Sequence, residues 1–236
     1  MLTFNKILSG FATETNTGFG NQLFMLASTI GIAEKNGYEV GVRENFNCFD
    51  YQFPVCHSLL PEFRVPWGYS DIKCHDNVAF SGYMQSERYF LHCESLIKYY
   101  FTLKKLSDIV LPDDAIIVHV RRGDYEGESH HAVLGLEYYD KALKEFTGPV
   151  YVFSDEPDKA KELFKGYGFN VIEGNGHYTD FFLMCQGKKH IIANSSFSWW
   201  PAWLHGTEVI APSRWFAGRC SHLDTKDIYA KDWRII

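Results

Sequence analysis

The sequence has no C-x-x-C pair. Its six cysteines stand singly at Cys48, Cys56, Cys74, Cys93, Cys185 and Cys220, a spacing that speaks against zinc-knuckle and thioredoxin chemistry. It has no uninterrupted apolar run of eighteen residues, and so no ordinary membrane-spanning helix. No apolar segment follows Met1-Leu2-Thr3-Phe4-Asn5-Lys6 as a secretory signal requires. These absences lead us to expect free thiols, a reducing and cytoplasmic location, and no integral membrane segment. There is no run of five like charges, and the net charge is −6. That argues against nucleic acid as a partner, because a phosphate backbone needs a concentrated basic surface. Internal repeats and low-complexity tracts are missing as well.

What is present can build a core. The chain has 236 residues, 46% of them hydrophobic, with 19 Phe and 14 Tyr. That is enough apolar area to fold without a metal or a disulfide. Ile7 to Phe11 reads as a first strand, followed by the polar turn Thr13 to Gly18. A helix is expected from Asn21 to about Lys35, with apolar residues at helical spacing and Asn36-Gly37 as its stop. Tyr38 to Val42 reads as a strand, residues 45 to 80 as irregular, and Glu87 to Phe101 as a helix. The polar stretch ending in Pro112-Asp113-Asp114 sets the expected domain boundary, giving domains 1–112 and 113–236.

The second half alternates. Strands are expected at Ala115–Val120, Pro149–Phe153, Phe169–Ile172, His190–Ala193 and Glu208–Ala211. Helices are expected at Leu136–Phe146, Pro157–Lys165, Tyr178–Gln186 and Phe197–Leu204. This alternation predicts an α/β fold with mainly parallel sheets, whose ligands sit at the carboxyl ends of strands.

The polar motifs fall at those ends. In Val118-His119-Val120-Arg121-Arg122-Gly123-Asp124-Tyr125 an apolar strand runs into two arginines. Adjacent guanidiniums are costly without an anion, and each fork matches phosphate oxygens. Pyrophosphate binding and a plain surface turn with Asp124 paired to an arginine are equally compatible with this stretch. Asn194-Ser195-Ser196-Phe197-Ser198-Trp199-Trp200 follows another strand and opens an aromatic helix. It reads as a well-capped helix or as an anion site at a helix N-terminus. Trp199, Trp200 and Trp203 are expected in the core.

Gly18-Phe19-Gly20-Asn21-Gln22 precedes the first helix, with Asn21 as its expected cap. The stretch lacks the third glycine of a dinucleotide fingerprint, and no Gly-Lys-Ser/Thr follows for a P-loop. Ser154-Asp155-Glu156-Pro157 is a strand end with a helix start. Asp180 resembles an ordinary first-turn acid. No Asp-x-Asp occurs to hold a metal on a diphosphate, so arginines are expected to neutralise it, with no metal required.

Together these stretches resemble glycosyltransferase family eleven, the alpha-1,2-fucosyltransferases. Gly18 to Phe24 resembles the family's Gly-Leu-Gly-Asn-Gln-Met-Phe. His119 to Tyr125 resembles His-x-Arg-Arg-Gly-Asp-Tyr, and Tyr138 to Ala142 the helix after it. Asn194 to Leu204 resembles Asn-Ser-Ser-Phe-Ser-Trp-Trp-x-Ala-Trp-Leu, with Pro201 where the family usually has a small residue.

The resemblance implies a GT-B-like architecture of two Rossmann-like domains, a reduced acceptor-side domain over 1–112 and a GDP-fucose-binding domain over 113–236. It implies GDP-fucose as donor substrate, no cofactor, inversion at the fucose carbon, and a galactose-containing glycan as acceptor. The implied donor-side residues are Gly20, Asn21, His119, Arg121, Arg122, Asp155, Asp180, Asn194, Ser195, Ser196 and Phe197. The catalytic candidates are Arg121 and Arg122 on the leaving diphosphate, with Asp124, Glu126 or Glu128 as general base. Asp124, if occupied by the arginines, is a poor base, which favours one of the glutamates. Two other readings stay open: a GDP-sugar-binding protein without transferase activity, and a fucosyltransferase of another linkage.

Overall fold

The computed structural model describes residues 1–4, 18–127 and 130–236. The expected first strand at Ile7–Phe11, most of the turn after it, and Glu128 lie outside these residues. The chain divides into two compact units. The first comprises Met1–Lys104 with Asp224–Ala230, and the second Lys105–Leu223 with Lys231–Ile236. The division thus falls between Lys104 and Lys105, where the sequence suggested 112 and 113, and a late segment returns to the first unit.

In the first unit, β1 (Thr3–Phe4), β2 (Glu62–Arg64) and β3 (Ala79–Ser81) form a parallel sheet in the order β1-β3-β2. Helix α1 (Phe19–Asn36) is buried nearly all round from Leu23 to Ala33 and stops at Gly37 in the left-handed conformation. Its cap is Gly18, whose carbonyl accepts from Asn21 and Gln22. Asn21 is therefore not the cap but a first-turn residue, because the helix begins two residues earlier than its apolar spacing suggested. The Tyr38–Val42 strand is replaced by isolated bridges at Val40 and Val42. The expected helix Glu87–Phe101 is two 3-10 turns followed by α2 (Glu94–Tyr100). Phe49 stacks on Phe101 at 5.0 Å, with Phe19 and Phe46 beside Phe49.

The second unit is more regular. Its strands are β4 (Ile116–Val120), β5 (Val150–Ser154), β6 (Asn170–Val171), β7 (Lys189–Ile191), β8 (Glu208–Ala211) and β9 (Arg234–Ile235). Its helices are α3 (Leu136–Leu143), α4 (Pro157–Leu163), α5 (His177–Met184) and α6 (Ser196–His205). All strand pairs are parallel, in the order β6-β5-β4-β7-β8-β9. That is the doubly wound order 3-2-1-4-5-6.

Strand β4 is buried along its whole length, as the centre of a sheet covered on both faces must be. Ile116, Val118 and Val120 pack with Tyr138, Tyr139 and Ala142 of α3. On the other face Ile117 packs with Phe153, Leu183 and Met184. Trp199, Trp200 and Trp203 are core residues as expected, and Trp233 packs on Trp199 at 5.2 Å. No helix among the described residues is long and apolar enough to cross a membrane. None of the six cysteines is joined in a disulfide among the described residues.

Candidate functional site

The register of the central sheet builds the site. Val120 lies opposite Ser154, so Arg121 and Arg122 leave β4 beside Asp155 leaving β5. Asp155 Oδ1 accepts the backbone N–H of Arg122 at 2.9 Å, and Oδ2 lies 3.3 Å from Arg121 Nε. Arg121 also donates to Asp124 Oδ1, at 3.1 Å from Nε and 2.7 Å from Nη2. Burial opposes the charge on Arg121, but the carboxylates of Asp155 and Asp124 outweigh it and raise its pKa further. Arg122 is buried, with Nε 3.9 Å from Glu126 Oε1.

A side chain at Gly123 would collide with the Asp155 carboxylate. Glycine here lets the acid reach under the turn and hold both arginines. Asp155, expected on the donor side, is thus the anchor of the arginine pair. Glu126 is exposed and bonded to Lys159 Nζ at 2.7 Å; that hydrogen bond lowers its pKa. Lys159 carries no sequence signal for this role, since it lies on α4 and meets Glu126 only through the fold.

On the other side of β4 lies β7, with Val118 opposite Ile191. The strand order reverses between these two strands, where doubly wound sheets open a crevice for ligands. The serine motif stands at that end. Ser195 caps α6, its Oγ accepting from Phe197 N at 3.3 Å. The remaining first-turn amides of α6, including that of Ser196, have no intrahelical acceptor and favour an anion there. Tyr125 Oη donates to the Asn194 carbonyl at 2.9 Å and ties the two motifs together. Both amide hydrogens of Asn194 are spent on the Ala132 and Trp215 carbonyls, at 2.9 and 2.6 Å. Asn194 therefore works within the protein, fastening two loops to the end of β7.

His119 is buried on β4, and burial, helped by the charge of Arg121, pushes its pKa down to about 3. Its ring lies 5.7 Å from Phe197, which meets Phe181 edge-on at 5.8 Å. Asp180 stands in the first turn of α5, beside Phe181. Burial raises its pKa, and its Oδ1 accepts from Asn175 at 3.1 Å. The second unit thus gathers His119, Arg121, Arg122, Asp124, Glu126, Asp155, Asn194, Ser195, Ser196 and Phe197 at one end of its sheet. Gly20 and Asn21 belong to the first unit, where Asn21 Oδ1 accepts from Gln85 Nε2 at 2.7 Å. Among the described residues, no three His, Cys, Asp or Glu side chains form a metal-holding group.

Residues 66–236 match the family described as glycosyl transferase family 11. The chain is 38% identical over 164 residues to an alpha-1,2-colitosyltransferase of Escherichia coli, covering 59% of this chain and 57% of that protein. It is 40% identical over 117 residues to the O-antigen biosynthesis glycosyltransferase WbnK of Escherichia coli, covering 43% and 39%. To galactoside alpha-(1,2)-fucosyltransferase 1 of Rattus norvegicus it is 26% identical over 254 residues, covering 87% and 66%. The matches span less than two thirds of the length of the two bacterial relatives. Among solved structures, fucosyltransferase NodZ from Bradyrhizobium superposes with a TM-score of 0.51 at 16% identity, covering 83% of this chain and 92% of that one. At that identity the superposition shows a shared fold alone.

Proposed function

This chain belongs to glycosyltransferase family 11, and we propose that it transfers L-fucose from GDP-fucose to the 2-hydroxyl of a galactose in a glycan acceptor. The observation that carries the reading is the arginine pair held by Asp155 at the end of the central strand. Two guanidiniums stand where the strand order reverses, and the capped N-terminus of α6 stands at the end of the neighbouring strand. Both favour a diphosphate.

In the proposed reaction the acceptor oxygen attacks the anomeric carbon as the bond to the β-phosphate breaks. Arg121 and Arg122 offset the charge that grows on the departing GDP; losing one such contact typically costs roughly 2.7–4 kcal/mol of barrier. Amides at Ser195 and Ser196 assist. His119, Phe197 and Asp180 are proposed to border the nucleoside, while Gly20 and Asn21 enter as counterparts of the family's first motif. For the general base, Asp124 and Glu126 are already paired to Arg121 and Lys159. The Lys159 hydrogen bond lowers the pKa of Glu126 and Asp124 is taken up in orienting Arg121, so Glu128 is the proposed base. The reaction is proposed to run in the cytoplasm without a cofactor.

A second donor is favoured by one observation, the 38% identity to a protein named for transferring colitose. The test is calorimetric titration with GDP-fucose, GDP-colitose, GDP-mannose and UDP-galactose, on the wild type and Arg121→Ala. Binding of GDP-fucose that is lost in Arg121→Ala supports the main reading. A stronger response to GDP-colitose moves the proposal to that donor. A folded sample that ignores every guanine nucleotide refutes both.

A further inference from the structure

Arg121 is held at its edge and at its face. The Asp124 and Asp155 carboxylates engage its Nε and Nη2 edge. Contacts of that kind set where a guanidinium points, but not how it is tilted. Its Cζ also stands over the Tyr125 ring, 5.4 Å from the centroid, within reach of a cation–π contact. Tyr125 is therefore the platform on which Arg121 rests.

Tyr125 is buried, and its Oη donates to the Asn194 carbonyl at 2.9 Å. One hydrogen bond at the tip leaves the ring free to turn about its long axis, where the torsion is soft. The His131 imidazole blocks that turn. The two rings lie 4.2 Å apart, centroid to centroid, with their planes at 5°, a stacked arrangement that favours the pair beyond simple burial. The imidazole meets Phe216 in turn at 5.4 Å. A row of contacts thus runs from Phe216 through His131 and Tyr125 to Arg121.

The backbone fixes His131 in this row. His131 pairs with Phe216 in an antiparallel bridge. The His130 carbonyl accepts the Ala217 N–H at 2.9 Å, and the Trp215 carbonyl accepts the Ala132 N–H at 3.5 Å. Asn194 donates to the Ala132 and Trp215 carbonyls, which ties both sides of this small ladder to the serine motif. Arg219 Nε donates to His130 Nε2 beside it. Without the imidazole, Tyr125 could tilt away from the guanidinium. Arg121 would then answer to Asp124 and Asp155 alone.

We propose that His131 is a positioning residue for the donor diphosphate, holding Tyr125 so that Arg121 presents its fork to the β-phosphate. The role rests on the transfer reading above, which puts Arg121 on the departing GDP. It calls for a flat ring at position 131, so phenylalanine should serve in place of histidine.

The test compares GDP with GMP, which lacks the β-phosphate, by calorimetry on the full chain. Wild type is expected to prefer GDP. His131→Leu keeps much of the side-chain volume and removes the flat ring. It should reduce that preference by about twofold to tenfold, with GMP affinity unchanged. His131→Phe should restore the preference. Tyr125→Leu removes the platform itself and should lose at least as much, while Tyr125→Phe keeps the ring and should lose less. Should His131→Leu fail to fold, His131→Gln and Tyr125→Leu carry the same comparison.

Equal losses of GDP and GMP affinity in His131→Leu would make the histidine a structural residue and overturn the proposal. A wild-type preference for GDP in folded His131→Leu or Tyr125→Leu would overturn it too, and leave the donor assignment standing. A wild type that binds GDP and GMP alike would remove the β-phosphate contact on which His131 is proposed to act. Failure of folded wild type to bind either nucleotide would refute the transfer reading itself.

Discussion

Asp155 accepts the backbone N–H of Arg122 from the neighbouring strand, 2.9 Å away, while its second oxygen lies 3.3 Å from the side chain of Arg121. One carboxylate therefore sets the path of the chain through one arginine and the direction of the other. Hydrogen bonds involving charged groups contribute about 1.5–3 kcal/mol. Asp155→Ala is expected to lower GDP-fucose affinity by about tenfold to a hundredfold on that scale. Asp155→Asn keeps an acceptor for the Arg122 amide and should lose less. Calorimetry on both variants checks the ranking; equal affinities for wild type and a folded alanine variant would remove Asp155 from the site.

Gly123 gives an independent handle on the same anchor. Any side chain there meets the Asp155 carboxylate. Gly123→Ala should push that acid away and cost donor affinity, while thermal stability falls modestly, since the turn is near the surface. A Gly123→Ala protein with native affinity would show that the acid can move without disturbing the arginines.

Asn194 should respond in the opposite proportion. Its amide donates to the Ala132 and Trp215 carbonyls, the second of which also accepts the Ala132 N–H at 3.5 Å. Asn194→Ala is expected to destabilise the protein by about 1–3 kcal/mol through the loss of these two bonds, read by urea denaturation. Nucleotide affinity measured at low temperature should change far less. A large affinity loss with unchanged stability would instead put Asn194 against the donor.

Two buried histidines predict how stability depends on pH. Burial drives the pKa of His119 down to about 3 and that of His190 to about 4, from an ordinary value of 6.5. Below pH 6.5 the unfolded chain takes up protons that the folded chain refuses. Stability is therefore complete above that pH and is lost as the pH falls toward the folded values. Each site contributes about 1.4 kcal/mol per pH unit in that window. His119→Gln should flatten the decline between pH 7 and pH 5 by about that amount, as measured by chemical denaturation. An unchanged slope would contradict the burial of a neutral His119.

How much was legible in the sequence depended on how far apart the partners lie. The second unit alternates strand and helix with short connections, so β4, β5, β8 and α3 to α6 follow from local apolar patterns. Strand β9 did not, because Arg234–Ile235 is two exposed residues recognisable only by their pairing with β8. The arginine and serine motifs were visible because polar residues directly follow apolar strands. The anchoring role of Asp155 and the pairing of Glu126 with Lys159 were not, since each joins different elements. In the first unit, the bridges at Val40 and Val42 are isolated pairings without an alternating pattern long enough to read.

The return of Asp224–Ala230 to the first unit has a practical result for protein engineering. That segment accepts the Trp67 indole N–H through the Asp224 carbonyl, and its Asp227 carboxylate takes the Tyr69 amide and the Arg88 guanidinium. The chain then contributes β9 to the other unit. The two halves are laced rather than joined end to end. A chimera made with one crossover near Lys104 would carry its own first unit but a foreign clasp for Trp67. Exchange of an intact first unit between relatives thus requires a graft at two places, the body of that unit and the seven residues that close it.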